Sequence, residues 1–414
     1  MIGWTGKKKM TLDREERKKN ATLNSLAEDQ TQPNITIFSR AMPIPTTTRD
    51  IFAKHYDEKA SKACRVACTS FALEDFIGAL APTEGKRLYM ARVDPVLTFA
   101  AEIVLDVEES SISKLADVQH LYIRRLLHVG QRSVLAALFS ETGILPIRFR
   151  RVALAITYLI YLRQLPAYHY AHMAMQESTS LLRNGFSCWI GDLNWVINHL
   201  PGGTQLDTHV ENMDTSQLQS LLKDIERCCN SHLNDTLLNS AKCSLLTGRL
   251  DIDGGRGRLP VNRRMSHYLA LPLIPAHRRA FTSIMFSSHS LAVEKLRWGE
   301  RYRQPVPREW RLCRLCRSHV EDEAHALVGC KGGKGAESHQ LAHIRDTMQT
   351  EVHAIVPDFT WHVDVQTLIV HLLHDKRLSV PIAKFIFNIL EVFYSVPMFI
   401  PAPYLYSPIL PAEA

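Results

Sequence analysis

One group of cysteine and histidine residues constrains the folding of this 414-residue chain more than any other feature. Cys313, Cys316, His325 and Cys330 follow the spacing Cys-x2-Cys-x8-His-x4-Cys. Two cysteines three residues apart can bind one ion from a tight turn, and the histidine and last cysteine can reach it from one helical turn. Such ligands suit a closed tetrahedral zinc site, which has no open position for a reactive water. The spacing therefore predicts a structural Zn²⁺.

Two alternatives to this ligand set stay open at the level of sequence. His319 competes as a ligand, although only two residues separate it from Cys316. The four residues could also be free thiols and a histidine with accidental spacing. A disulfide framework is not expected, because the chain has nine cysteines, an odd number, and no secretory signal. The other cysteines are expected to be buried or half-buried thiols rather than ligands. They include Cys64 and Cys68, which share a helical face, and the adjacent Cys228 and Cys229.

The termini and the apolar runs predict an intracellular protein of the nucleus or cytoplasm, without a membrane partner. Residues 1–20 are polar and lysine-rich, and no apolar run follows them as in a secretory signal. The longest apolar runs are 152–162 and 396–406. The first is too short to span a bilayer and the second contains three prolines.

Apolar periodicity predicts a mainly α fold. Ile112, Leu115, Val118, Tyr122, Leu126 and Val129 recur every three or four residues, with Ser110 or Ser111 as a possible start and Gly130 after the end. Further helices are expected at 51–81, 133–140, 147–165, 189–200, 218–225 and 382–393, with proline or glycine near several of their ends. The turn signal at 251–257 can close one β-hairpin near 249–262. Arginines in the first turn of the 147–165 helix lie near the positive end of the helix dipole, where a cation is unfavourable. They are expected to face an external anion or carboxylate, or to be exposed to solvent.

The chain carries a modest net charge of +7, and its placement is uneven. Between Arg278 and Arg317 there are ten basic residues and three glutamates, an excess equal to that of the whole chain. Aromatic residues interleave with the arginines, offering stacking faces beside phosphate-binding groups. The candidate nucleic-acid contacts are Arg297, Trp298, Arg301, Tyr302, Arg303, Arg308, Trp310, Arg311, Arg314 and Arg317. A solvated surface of mixed charge is the alternative.

Several short motifs resemble the polyproteins of fungal non-LTR (LINE-type) retrotransposons, in the part that follows the polymerase palm. The similar segments are Tyr56–Ala63, Phe76–Leu80, Leu88–Leu97, Leu121–Leu127, Glu141–Arg151, Leu296–Trp298, Pro381–Ile386 and Pro397–Pro401, together with the Cys-Cys-His-Cys cluster. Each motif alone has little specificity, but their order and the cluster make the match more specific. The resemblance covers residues 51–401.

The resemblance implies a thumb-like or linker-like helical region, a zinc knuckle and a terminal helix. The expected segments are a flexible polar lead-in at 1–50, a helical region at 51–295, a basic zinc-knuckle module at 296–335 and a C-terminal helical segment at 336–414. A reverse transcriptase also needs palm aspartates for two Mg²⁺ ions. The chain has no Asp-Asp pair, so it is expected to be a detached, non-enzymatic fragment.

The resulting functional hypothesis is a non-catalytic fragment that binds template RNA or target DNA, mainly through phosphate contacts, with no small-molecule substrate. The alternatives are an inactive retroelement relic and a helical scaffold for protein interactions. An independent enzyme has the least support, because the sequence assembles no nucleophile, base or open metal site.

Overall fold

Helices make up nearly all the regular structure in the computed structural model of the chain, which confirms the predicted mainly α fold. The structure describes residues 52–201, 208–247, 264–300, 303–333, 335–362 and 364–404. Within these ranges the only extended pairing consists of two isolated antiparallel bridges, Glu300 with Arg303 and Leu312 with Val320. The predicted lead-in at 1–50 and the predicted hairpin at 249–262 lie outside the described residues.

The longer helices are α1 (Ala53–Phe71), α2 (Glu109–Leu127), α3 (Leu135–Thr142), α4 (Ile147–Gln164), α5 (Tyr170–Arg183), α6 (Trp189–Asn198), α7 (Thr215–Leu238), α8 (Pro275–Met285), α9 (Ala336–Ile355), α10 (Val365–His374) and α11 (Ser379–Tyr394). Short α-helical turns lie at Glu74–Ile77, Pro82–Leu88, Asp94–Leu97, Ser244–Thr247, His267–Ala270 and Ala292–Lys295. The remaining turns are π-helical at Tyr89–Val93 and His325–Gly329, and 3-10 at Val210–Asn212, Arg308–Trp310, Lys376–Leu378 and Ala402–Tyr404.

The helices pack around a large shared apolar core. In the first half, α1 and α4 pack against α2, and α7 packs against α3 and α4. In the second half α11 is central, because α8, α9 and α10 all contact it. The chain from Phe52 onward forms one compact unit, so the expected boundaries at 295 and 335 fall inside it. Among the described helices, none has the length and apolar character needed to cross a lipid bilayer.

Helix α2 shows how the sequence pattern becomes packing. Its predicted apolar stripe is buried, from Ile112 to Leu126. Its end differs from the prediction, because His128 rather than Gly130 adopts the left-handed conformation, with φ of 54°. The amides of His128 and Val129 donate to the carbonyls of Arg125 and Arg124, respectively. This pairing is the Schellman pattern, which a non-glycine residue can support at a moderate energetic cost.

The arginine-rich first turn of α4 finds its anions inside this chain. Arg150 pairs with Asp94 at 3.4 Å, and Arg148 pairs with Glu109. Arg151 is 2% exposed and its Nε donates to both carboxylate oxygens of Asp106 at 2.8 and 3.0 Å. The carboxylates that face these arginines therefore belong to the same chain rather than to an external partner. Arg151 is buried, so exposure to solvent does not explain its position.

The Arg151 network fixes the loop before α2. Its NH1 and NH2 groups donate to the carbonyls of Leu97 and Val104, both at 2.9 Å. Tyr56 on α1 donates to Asp106 at 2.6 Å. Burial, followed by the charge of Asp106, raises the pKa of Tyr56, which keeps its hydroxyl protonated and donating. A buried charge pair of this kind is sensitive to the loss of one partner, because the other charge is left unpaired.

We expect Asp106→Ala to lower the free energy of unfolding by about 3–5 kcal/mol, since it leaves Arg151 buried without a counter-ion. Urea unfolding followed by circular dichroism measures the change. The control is Glu84→Ala, which removes the exposed Arg87 pair and is expected to cost less than about 1 kcal/mol. Equal effects of the two variants would contradict a structural role for the buried network.

Candidate metal centre

A short knuckle positions the first two cysteines of the cluster. Leu312 and Val320 form an antiparallel bridge, and the Cys313 amide donates to the His319 carbonyl at 2.8 Å. The Arg317 amide donates back to the Cys313 carbonyl at 2.9 Å, and Arg317 has a positive φ of 56°. The chain between Cys313 and Arg317 is thus closed into the tight turn that the Cys-x2-Cys spacing predicts.

A π-helical turn positions the other two residues. It runs from His325 to Gly329, and the Cys330 amide donates to the His325 carbonyl at 2.6 Å, five residues back. Its start is held by Asp322, whose carboxylate accepts from the His325 amide at 2.9 Å. The His-x4-Cys spacing therefore produces a single widened turn, a form of helix that is often found at functional sites.

These two turns bring one atom from each of the four residues together. The Sγ atoms of Cys313, Cys316 and Cys330 and a ring nitrogen of His325 all lie within 4.8 Å of one another. Two of the distances are 3.7 Å between the Sγ atoms of Cys313 and Cys330, and 3.3 Å between Cys316 Sγ and His325 Nε2. Such a group could hold a metal ion, and the residues are the four that the sequence predicts.

His319, the competing ligand of the sequence analysis, is outside this group of four. Its exposed ring stacks on the ring of His325, with centroids 5.2 Å apart. Its Nδ1 lies 3.2 Å from the Ser318 hydroxyl. The structure therefore favours His325 as the imidazole ligand and gives His319 a packing position beside it.

Hydrogen bonds within the cluster shift the pKa values of its members. A hydrogen bond to Cys330, with burial second, raises the pKa of the Cys313 thiol to about 12, and the same bond lowers the pKa of Cys330. Burial alone would lower the pKa of His325, but hydrogen bonds and charge from Cys313 and Cys316 raise it. Metal binding needs deprotonated thiols and neutral imidazole, so an ion would displace the protons that these groups carry.

Backbone and side-chain groups outside the cluster hold its second turn in place. Arg345 on α9 donates from Nε to the Leu327 carbonyl at 2.9 Å and from NH2 to the Ala326 carbonyl at 3.0 Å, and its NH1 donates to the Cys330 carbonyl. The Gly332 amide approaches Cys330 Sγ at 3.3 Å. Gly332 has φ of +76°, and an added Cβ would lie 2.7 Å from the Ser338 Cα, so only glycine fits there.

A buried ion pair joins the knuckle to the rest of the fold. Arg314 NH2 donates to Glu321 Oε1 at 2.7 Å, and neither side chain is more than 5% exposed. Arg314 also donates to the carbonyls of Ser290 and Phe393, at 2.8 and 3.1 Å. Glu321 accepts from the amide of Ala292 at 2.8 Å. The knuckle is therefore anchored to the loop before the 292–295 turn and to the end of α11.

The structure separates the ten predicted nucleic-acid contacts into distinct groups. Arg303, Arg311 and Arg314 are buried, with 5%, 9% and 7% exposure. Arg311 donates to the carbonyls of Val306 and Val293, at 2.8 and 3.0 Å, and Arg303 donates to the carbonyls of Lys295 and Trp298. These three arginines are satisfied inside the protein, which corrects the expectation that they face phosphates. Arg301 and Tyr302 lie outside the described residues.

The remaining predicted contacts reach the surface. Arg308 and Arg317 are exposed, Trp310 is 51% exposed, and Arg297 is half-buried in an ion pair with Glu294 at 3.1 Å. Arg308 lies 3.3 Å from Asp322, and Arg317 lies over the ring of Phe399 with a 5.1 Å separation. Trp298 is also exposed, and the guanidinium of Arg132 lies 4.6 Å from its ring centroid.

Sequence reasoning missed Glu321, Arg345 and Arg132 as parts of these sites. Arg345 is 15 residues beyond the carbonyl of Cys330 that it contacts, and it belongs to another helix. Arg132 is far from Trp298 in the chain, and no spacing rule connects them. The local knuckle was predictable, whereas these partners are set by how distant helices pack.

Comparisons with known proteins give no relative from which a role could be transferred. No protein-family model matches the chain, and no curated protein or solved structure matches it. The fold and the site themselves define a mainly helical protein with one Cys₃His cluster, among its described residues, that could hold a metal ion.

We expect Arg345→Met to weaken metal binding at the cluster by about 10-fold or more, because groups that orient metal ligands typically contribute 10–100-fold to affinity. Competition with a chromophoric chelator measures the affinity. Arg183→Met, an exposed arginine on α5, is the matched control and should leave the affinity unchanged. If both variants hold the metal as the wild type does, Arg345 has no role in orienting the ligands.

Proposed function

We propose that this chain is a non-catalytic, nucleic-acid-binding part of a non-LTR retroelement reverse-transcriptase polyprotein, stabilised by a structural zinc ion. The observation that carries the proposal is the convergence of Cys313, Cys316, His325 and Cys330 within 4.8 Å. Exposed arginine and tryptophan side chains lie on and beside the same knuckle. The resemblance of the chain's motifs to this family supplies the biological setting.

The chemistry of the ligand set supports zinc. Thiolates and imidazole favour zinc over magnesium or calcium, which prefer oxygen ligands. Tetrahedral bonding with the usual Zn–S and Zn–N lengths places two sulfurs ~3.8 Å apart and a sulfur and nitrogen ~3.6 Å apart. Two of the six distances in this cluster, 3.7 Å and 3.3 Å, are close to these values, and all six lie within 4.8 Å. Four protein ligands fill the tetrahedron, so the ion would stabilise the knuckle rather than activate water.

The exposed cations and aromatic faces support nucleic-acid binding. Arg308 has a side chain that is 66% exposed, and its partner Asp322 forms only a surface pair with it. Surface pairs contribute little, so phosphate can replace the carboxylate at small cost. Trp310 presents about half its surface to solvent and could stack on a base. A reducing compartment, the nucleus or cytoplasm, fits a site built from thiolates.

The proposal includes no catalytic residue. The chain has no Asp-Asp pair of the kind with which the resembled polymerases hold Mg²⁺. In the full-length polyprotein this part would hold template RNA or target DNA beside the polymerase. Contacts of this kind are mainly to phosphates, so binding should be largely independent of sequence.

Purified wild-type protein is expected to contain one zinc ion per chain, and Cys316→Ser is expected to lose it. Chelation should lower Tm in the wild type, because metal binding is coupled to folding of the knuckle. Elemental analysis and thermal unfolding measure the two effects. Cys68→Ser, an exposed cysteine outside the cluster, is the control that should keep the metal. A folded wild-type protein without metal would refute the zinc assignment.

Binding to a single-stranded RNA oligonucleotide should fall steeply as salt rises. The double variant Arg308→Gln/Arg317→Gln should reduce the slope of log K against log salt by about 1.4, since each phosphate contact on a single strand contributes about 0.7. Fluorescence anisotropy at several salt concentrations gives the slopes. The matched control is Arg183→Gln/Arg227→Gln, two exposed arginines on α5 and α7. Absence of binding at low salt, or a flat salt dependence in the wild type, refutes nucleic-acid binding.

One observation favours a second candidate, a helical scaffold for protein interactions. Helix α5 contributes no buried residue, and Tyr168, Tyr170 and Phe186 around it are 82%, 87% and 59% exposed. Exposed apolar side chains of this kind are typical of protein interaction surfaces when they are contiguous. This candidate is favoured if the folded, metal-loaded chain fails to bind RNA and self-associates through these aromatic residues.

A further inference from the structure

A cleft of about 220 Å³ lies beside the candidate interface, between the loop that joins α2 to α3 and the turn at Ala292–Lys295. Its walls include Arg132, Lys242, segment 287–290, Lys295 and Trp298. Backbone hydrogen bonds link the wall of this cleft to the segment that carries the Cys₃His cluster. The Val293 amide donates to the Glu321 carbonyl at 3.0 Å, and the Val306 amide donates to the Leu296 carbonyl at 2.9 Å.

The guanidinium of Arg132 stacks on an aromatic ring at this cleft and has no carboxylate partner among the described residues. It lies 4.6 Å from the ring centroid of Trp298, and its side chain is exposed. Stacking engages the face of a guanidinium and leaves the N–H groups in its plane free to donate. Within the described parts of the chain, no carboxylate or carbonyl accepts a hydrogen bond from it. A planar fork held in this way is suited to a phosphate.

The two carboxylates of the cleft have cations of their own. Glu294 is bound at Oε2 by Lys242, at 2.7 Å, and at Oε1 by Arg297, at 3.1 Å. Glu300 lies 3.4 Å from Arg303 and 3.9 Å from Lys295. Neither carboxylate therefore neutralises Arg132, and the cleft keeps an excess of positive charge.

One further cation, Arg279 on α8, lies near the start of this loop. Desolvation first, and the charge of nearby Arg279 second, lower the pKa of His128, two residues before Gly130 at the cleft wall. Thr282 on the same helix as Arg279 donates to the Leu127 carbonyl at 3.3 Å, which keeps α8 against this loop. Arg279 is exposed, so an anionic chain that leaves the cleft past the start of this loop would meet one further cation.

We propose that the Arg132–Trp298 cleft binds a phosphate of the single-stranded nucleic acid, adding a contact from the α2–α3 loop to those of the metal module. The inference rests on the proposed nucleic-acid function and locates a part of that interface outside the basic stretch at 278–317. The N–H groups of the Arg132 guanidinium donate to the phosphate. Trp298 stacks on the guanidinium, and its remaining exposed surface can contact a neighbouring base. Lys242 neutralises Glu294.

The test compares RNA binding by the full-length, metal-loaded wild type, Arg132→Gln, Arg132→Lys and the control Arg183→Gln. Arg132→Gln should lower the slope of log K against log salt by about 0.7. If the two proteins bind equally at 1 M salt, the variant therefore binds about eightfold more weakly than wild type at 50 mM. Arg132→Lys should keep the slope but bind more weakly than wild type, because lysine retains the charge and loses the fork. Unchanged metal content and circular dichroism establish that the variants are folded.

The outcomes separate this inference from the proposed function. If wild type binds no RNA, the proposed function fails, and this site fails with it. If wild type binds and Arg132→Gln has the wild-type slope, only the cleft assignment is overturned. Inorganic phosphate and adenosine monophosphate are tested as competitors. If millimolar adenosine monophosphate displaces the RNA from wild type, and Arg132→Gln weakens the binding of the monophosphate and of the RNA equally, the cleft is a mononucleotide pocket. That result would overturn the assignment of the cleft to a nucleic-acid strand.

Discussion

The buried pair of Arg314 and Glu321 is the interaction on which the second half of the structure depends. It joins the knuckle to the loop at Ser290, to the turn beginning at Ala292 and to the end of α11. Desolvating two charges is costly, and it is repaid here because nearly every donor and acceptor of the pair is used. The Cys₃His cluster is consequently packed against the helical core, and a change at the cluster is expected to alter the packing of α11.

The same interaction explains why the basic stretch is not simply a binding surface. A guanidinium has five donors and no acceptor, so one arginine can join several backbone carbonyls that helix ends leave unsatisfied. Arg303 and Arg311 do this around the Ala292–Lys295 turn, and Arg345 does it for the π-helical turn of the cluster. Much of the local charge therefore stabilises irregular backbone, which a count of arginines cannot distinguish from ligand binding.

The sequence predicts those features that are set by short-range geometry. The four residues of the cluster and the buried stripe of α2 follow from spacing and periodicity, and both are where they were expected. The left-handed His128, the carboxylate partners of Arg148, Arg150 and Arg151, and the Arg132–Trp298 stack could not be predicted. Each depends on which loop packs against which helix, and Arg151 and Asp106, for example, are 45 residues apart. Tertiary packing decides such contacts, and residue preferences only permit them.

The contacts of an arginine side chain decide whether it stabilises the fold or remains able to bind a phosphate. An arginine that is paired with a buried carboxylate is already neutralised, so it gains little from a phosphate. An arginine that contacts no other group loses side-chain entropy when it binds phosphate. An arginine stacked on an aromatic ring avoids both costs, because the ring orders the side chain and leaves its donors unused. In the described residues, Arg132 over Trp298 and Arg317 over Phe399 meet this condition at the surface. This contrast with Arg303, Arg311 and Arg314 is the physical reason why the stacked pairs belong to the proposed nucleic-acid contacts.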